Sequence, residues 1–160
     1  MDSKDLKILA LLQENAAITV AEISAKVHLS QTPCWRRIQK LEEMGVIEKR
    51  VAILNPSAVG FGLSVFVEVQ AVDHSAEWLA HFEAAVTEMS EIMEVHRMAG
   101  EVDYLLRVAV RDMDAYDDFY RRFIARVPSK NVTSRFSMER VKSTTAYPLN
   151  VMNGHQREAL

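Results

Sequence analysis

The stretch with the most chemical content is Leu29-Ser30-Gln31-Thr32-Pro33-Cys34-Trp35-Arg36-Arg37-Ile38-Gln39-Lys40-Leu41, where three cations, two carboxamides and two hydroxyls fall within one helical pattern. Cys34, Ile38 and Leu41 recur at helical spacing and mark a buried face. Ser30 stands at the N-cap position, where its hydroxyl can accept from the first unpaired amides, and Pro33 falls in the first turn, where its missing N–H costs nothing. The remaining faces carry Gln31, Thr32, Trp35, Arg36, Gln39 and Lys40, with Arg37 flanking. These groups suit base edges and phosphates: guanidinium pairs with guanine, carboxamide with adenine, and cations meet the backbone. DNA binding is therefore expected of Ser30, Gln31, Thr32, Trp35, Arg36 and Gln39, with Arg37, Lys40 and Arg50 mainly on phosphates. The bland alternative for each arginine is an ion pair with Glu42 or Glu43. Trp35 either stacks on nucleic acid or caps the core of the small domain.

The elements around this helix must position it. Leu6, Ile8, Leu9 and Leu12 mark a first amphipathic helix from Ser3 to about Asn15. Thr19-Val20-Ala21-Glu22 is a capping box opening a second, and the short Val27-His28-Leu29-Ser30 connection leads into the third. Three helices with a tight turn before the last are a helix-turn-helix, whose final helix lies in the major groove. Gly45 is a C-cap signal, and Val46 to Leu54 reads as a two-stranded wing with Lys49 and Arg50 at its bend.

Asn55-Pro56, Gly60 and Gly62 interrupt the pattern and mark a hinge over 55–62. A period of two follows in Leu63, Val65, Val67 and Val69, the sign of a half-buried strand. A helix from Ser75 has Trp78, Leu79, Phe82 and Val86 on its inner stripe. Strands at Ile92–Met98 and Tyr104–Val110 flank a Gly-containing acidic turn. Asp112 caps a helix with Met113, Tyr116, Phe119, Tyr120, Phe123 and Val127 inward, Pro128 closes it, and Val132–Val141 is the last strand. This order gives an α+β chain: a winged helix-turn-helix over 1–54 and a ferredoxin-like βαββαβ domain over 63–149. Residues 150–160 are expected to be a mobile tail or an oligomer contact. One sheet face lacks a covering helix, which implies a partner subunit and a symmetric dimer.

Composition narrows the function. Residues 1–54 carry eight Lys or Arg against seven Asp or Glu, and the remainder eleven against fifteen, so charge is informative only locally. The lone Cys34 excludes an intramolecular disulfide and is expected to be buried. No apolar run approaches a membrane span or a secretory core, so a cytoplasmic protein is expected. His28, His74, His81, His96 and His155 lack metal-ligand spacing, Ala71–Ser75 has no anion cradle, and there is no P-loop or nucleophile elbow. Neither catalysis, a cofactor nor a bound metal is expected.

With these landmarks placed, the chain resembles the Lrp/AsnC (feast/famine) family of transcriptional regulators over about residues 2–149. The matching residues are Asp5–Leu9, Leu29–Arg37, Leu41-Glu42 with Gly45-Val46-Ile47, Asn55-Pro56, and Gly100-Glu101-Val102-Asp103-Tyr104-Leu105-Leu106. The resemblance implies a DNA-binding homodimer, often assembling to an octamer, that responds to an amino acid. It places the effector at a subunit interface around Gly100, Glu101, Asp103 and Tyr104, with Met98, Thr133, Ser134, Phe136 and Ser137 as wall residues. A carboxylate for the ammonium and amides for the carboxylate fit that turn, although composition alone would also suit a solvated acidic turn. His28 departs from the glycine common at the turn, and Trp35 from the smaller residues common at its position. Trp35, His74–Trp78, Arg97–Glu101 and Thr144–Leu149 are similar to a branch that includes regulators of cysteine breakdown, which makes cysteine a first effector candidate. The competing class is an amino-acid-binding oligomeric adaptor without specific DNA binding. With about three phosphate cations per recognition helix, two helices predict a salt slope near −5.

Overall fold

The computed structural model describes residues 1–149; the expected mobile tail lies outside the described residues. The described residues divide into two compact units, Met1–Ile53 with residues 142–149, and Leu54–Val141.

In the first unit, α1 (Ser3–Glu14), α2 (Val20–Val27) and α3 (Gln31–Glu43) enclose Ile8, Leu9, Ile23, Val27, Cys34, Ile38 and Leu41. Their caps explain their limits. Thr19 and Glu22 form the expected reciprocal box, and Asp2 with Asp5 forms a second one that opens α1. After α2 the chain turns through His28 at φ 54° and ψ 56°, the left-handed conformation that a glycine would adopt without strain. Lys4 Nζ donates to the Val27 carbonyl at that helix end. Behind α3, Gly45 takes φ 68°, its N–H reaching Glu42 O and that of Val46 reaching Leu41 O, which closes the helix in a Schellman motif.

The wing is not formed as two paired strands. Residues Glu48–Asn55 carry no regular secondary structure, and Val51, Ile53 and Leu54 are exposed. The alternation there is too short to bury one face, so no ladder holds it. The C-terminal segment supplies another surprise. Gln13 Oε1 accepts from Tyr147 N at 2.7 Å, Gln13 Nε2 donates to Tyr147 O at 3.3 Å, and Leu149 packs on the helical core. Residues 142–149, expected at the end of the ferredoxin-like domain, pack in this structure with the helical unit. Such a contact across 134 residues leaves no local pattern to read.

In the second unit, Asn55 Oδ1 accepts from Ser57 N and a 3-10 turn at Ser57–Val59 ends at Gly60, so the expected hinge is a folded turn. Then follow β1 (Leu63–Ala71), α4 (Ala76–Glu88), β2 (Ile92–Arg97), β3 (Tyr104–Val110), α5 (Met113–Arg126) and β4 (Ser129–Phe136). The four strands are antiparallel in the order β2-β3-β1-β4, as a ferredoxin-like unit requires. Val65, Val67, Val69, Leu106 and Val108 meet Trp78, Phe82, Tyr116, Phe119 and Phe123 of the two helices. Ser75 and Asp112 cap α4 and α5 through their side chains. Leu79 and Met113, expected inward, are exposed at the edges of their helices. The last strand begins at Ser129 and ends at Phe136 rather than running to Val141, because β1, its partner, starts at Leu63. The opposite sheet face shows Phe66 beside two ion pairs, Glu68–Arg135 at 2.6 Å and Glu94–Arg107 at 2.6 Å.

Candidate nucleic-acid interface and effector loop

The recognition helix sorts its polar residues into paired and unpaired ones. Thr32, Trp35, Arg36 and Lys40, spaced three and four apart, are exposed along its outward side. Trp35 is 51% exposed, so it does not cap the core. Arg36 and Lys40 have no side-chain partner among the described residues. Ser30 stands at the N-cap with extended backbone, but its hydroxyl makes no capping bond, and Gln31 is exposed beside it. The N–H groups of the first turn are therefore left for another acceptor.

Arg37 is occupied. Its Nη1 donates to Asp2 Oδ2 and Asp5 Oδ1, both at 2.7 Å, tying α3 to the start of α1. The Asp5 and Asp2 carboxylates hold its guanidinium still more firmly protonated, and the Asp5 amide and Arg37 together keep the Asp2 carboxyl below the usual range. With Nη1 committed to two carboxylates, the guanidinium charge of Arg37 is already compensated inside the protein, and only its Nε and Nη2 donors remain. Arg50 and Gln39 are also engaged, by Glu42: Arg50 Nη2 donates to Oε1 at 2.7 Å and Gln39 Nε2 to Oε2 at 2.9 Å. Cys34 is fully buried, and that burial raises its thiol pKa, which makes it a poor nucleophile.

In the other unit, the effector candidates form two groups. Met98, Gly100, Glu101 and Asp103 share the β2–β3 loop, where Gly100 adopts φ 123°. That loop is bound to the end of β1: Asp103 N donates to Val69 O, Gln70 Nε2 to Glu101 O at 2.8 Å, and Met98 N to Asp103 O at 2.8 Å. The Asp103 carboxylate accepts from Ala71 N at 2.8 Å, beside the irregularity at Gln70/Ala71, and its other oxygen lies 3.6 Å from His74 Nε2.

The second group runs the other way along the sheet. Thr133 and Ser134 pair opposite Glu68 and Val67, Phe136 opposite Val65, and Ser137 N donates to Ser64 O. Five residues of strand separate Ser64 from Val69, a span of about 17 Å, so one chain does not bring Phe136 and Ser137 to the loop. Ser134 bonds the Tyr116 hydroxyl, and Phe136 meets the Tyr116 ring edge-on with centroids 5.1 Å apart, on the helix-covered face. Thr133 accepts from Asn131 on the opposite face.

Tyr104 is a core residue. It is 8% exposed, with ring centroids 4.3 Å from Phe82 and 5.7 Å from Trp78. Strand alternation turns it toward the helices with Leu106 and Val108, away from the loop it follows. Reasoning from sequence also missed Gln70, which anchors the loop, and the Asp2 cap, whereas the Arg50–Glu42 pair is the ion-pair alternative it had weighed. The Asp-x-x-Asp spacing of Asp2 and Asp5 was a usable signal for the cap.

Asp103→Ala is expected to remove a charged acceptor from a backbone amide and cost about 1–3 kcal/mol, seen as a lowered thermal midpoint. Asp103→Asn keeps an acceptor and isolates the charge. It is expected to melt near the unsubstituted protein while losing any effector response; a preserved response would remove the carboxylate from the site.

Residues 1–48 match a winged helix-turn-helix DNA-binding model, and residues 64–147 match the Lrp/AsnC ligand-binding domain. The chain belongs to the Lrp/AsnC family. Among curated members, it is 45% identical to the DNA-binding transcriptional activator DecR of Escherichia coli, over 93% of this chain and 99% of that one. It is 44% identical to the glutamate uptake regulatory protein of Zymomonas mobilis, over 93% and 91%. An AsnC-family regulator from Agrobacterium tumefaciens is 52% identical, with a TM-score of 0.90 over 95% of this chain and 99% of that one. A Neisseria meningitidis transcriptional regulator solved as an L-methionine complex is 34% identical, with a TM-score of 0.90 over the same shares. This Lrp/AsnC protein shares their α+β architecture. Among its described residues no helix is long and apolar enough to cross a membrane, and no group of three or more His, Cys, Asp or Glu could hold a metal ion.

Proposed function

We propose that this chain is a sequence-specific, DNA-binding transcriptional regulator of the cytoplasm whose operator binding responds to an amino acid held at the β2–β3 loop. The observation that carries this reading is one chain joining a helix-turn-helix with outward, unpartnered Arg36 and Lys40 to an Lrp/AsnC ligand-binding domain. Reading of bases falls to Thr32, Trp35, Arg36 and Gln39, with Lys40 and Arg50 on phosphates and the first turn at Ser30 and Gln31 on another. Arg37 serves as a staple to α1.

The open sheet face with Phe66 supports a homodimer. In the dimer the loop of one subunit and Thr133 to Ser137 of another could line a common site, consistent with assembly to larger rings. The effector is a free α-amino acid, its ammonium on Asp103 or Glu101 and its carboxylate on the backbone donors of the Gly100 turn. Methionine is a candidate from the complex named above, and cysteine from the branch the sequence resembles. No enzymatic step is assigned to any residue.

The test is a fluorescence-anisotropy titration against a duplex selected from a random pool, at several salt concentrations, with and without each common amino acid. With Arg37 retained by Asp2 and Asp5, two phosphate cations per helix remain, so a dimer should show a slope of log affinity on log salt near −4, shallower than −5. Saturable binding that one amino acid shifts supports the reading. A slope near zero, or binding no tighter than to scrambled duplex under every condition, overturns it in favour of an adaptor.

A further inference from the structure

Glu42 lies one turn from Gln39 on α3 and spends both carboxylate oxygens on residues that the proposed function places at DNA. Its Oε2 takes one of the two Gln39 amide hydrogens, and its Oε1 takes one donor of Arg50. Both partners need such an anchor. A glutamine side chain has three rotatable bonds and no fixed direction of its own. Arg50 sits in a segment with no regular secondary structure, so no strand ladder locates it. All three side chains are at least partly exposed, and no other side chain among the described residues bonds Gln39 or Arg50.

We infer that Glu42 is a specificity-determining positioning residue: it preassembles Gln39 and Arg50 as one reading unit at the C-terminal half of the recognition helix. With one amide hydrogen committed, Gln39 keeps one N–H and its carbonyl oxygen, the pair that matches N7 and N6 of adenine. Arg50 keeps four further donors for a phosphate. Holding both in place before encounter removes part of the ordering cost of binding. A carboxylate close to phosphates opposes binding of any sequence, so Glu42 acts with opposite sign on selectivity and on bulk affinity. This inference rests on the DNA-binding reading above.

The experiment uses the full-length protein and a duplex selected by it from a random pool, together with every single base-pair replacement of that duplex and a scrambled control. Glu42→Ala is expected to raise affinity for scrambled duplex while discrimination at one base pair per half-site falls about tenfold, the scale of one lost bidentate contact. Gln39→Ala should lose the same preference, and adding Glu42→Ala to it should change that preference no further. Glu42→Gln keeps an acceptor for Gln39 and should rescue the preference while releasing Arg50. Melting curves matching the unsubstituted protein exclude an unfolding effect. Equal gains on every sequence in Glu42→Ala, with all base preferences intact, would overturn the inference and leave the DNA-binding reading standing. Failure of the unsubstituted protein to select any sequence would overturn both.

Discussion

Arg36→Ala is expected to weaken binding to a selected duplex by about 10- to 100-fold and to relax the preference at one guanine per half-site, as loss of a bidentate arginine contact would. Arg36 is exposed between Thr32 and Lys40 on the outward side of α3, with no carboxylate to release first. Arg37→Ala makes the contrast, since its guanidinium faces Asp2 and Asp5. It should loosen α3 from the start of α1 and leave base preference unchanged. The two variants, followed by anisotropy and by thermal unfolding, should therefore exchange effects: Arg36 on selectivity, Arg37 on melting. A selective loss in Arg37→Ala with unchanged melting would mean that the staple opens on DNA.

Tyr104→Ala should cost about 3–5 kcal/mol in the stability of the second unit, the usual price of emptying a large aromatic site. The ring closes a cluster with Phe82 and Trp78, and no described hydrogen bond uses its hydroxyl. Tyr104→Phe is then expected to be close to silent in melting and in effector response alike. Denaturant unfolding of both variants checks this. A stable Tyr104→Ala that has lost only its effector response would return Tyr104 to the wall of the site.

The helices, the turn at His28, the caps at Thr19 and Asp112, and the strand order were legible because each rests on contacts within a few residues. Periods of 3.6 and two report which side of an element is buried, and capping signals report where it ends. The same locality limits what such signals report. Tyr104 stands next to the acidic loop in sequence, yet the pleat turns it into the core. Ser134 and Phe136 lie on the helix-covered face and Thr133 on the other, because adjacent strand residues face opposite ways. Val46 to Leu54 has strand-forming residues but no neighbouring strand to satisfy its backbone, so the wing did not form as a pair.

Spacing along the chain thus established a recognition helix, two domain types and an acidic turn. Which cation remains available to a phosphate was decided by folding, because an arginine side chain reaches several angstroms and takes whichever carboxylate the tertiary fold brings near. Asp2 and Asp5 take Arg37 from 32 to 35 residues away, while Glu42 engages one donor of Arg50 and leaves four. The Gln13–Tyr147 contact that joins the C-terminal segment to the first unit belongs to the same class. Such long-range pairs have no periodicity, and only the packing of the helices that carry them specifies which partners meet.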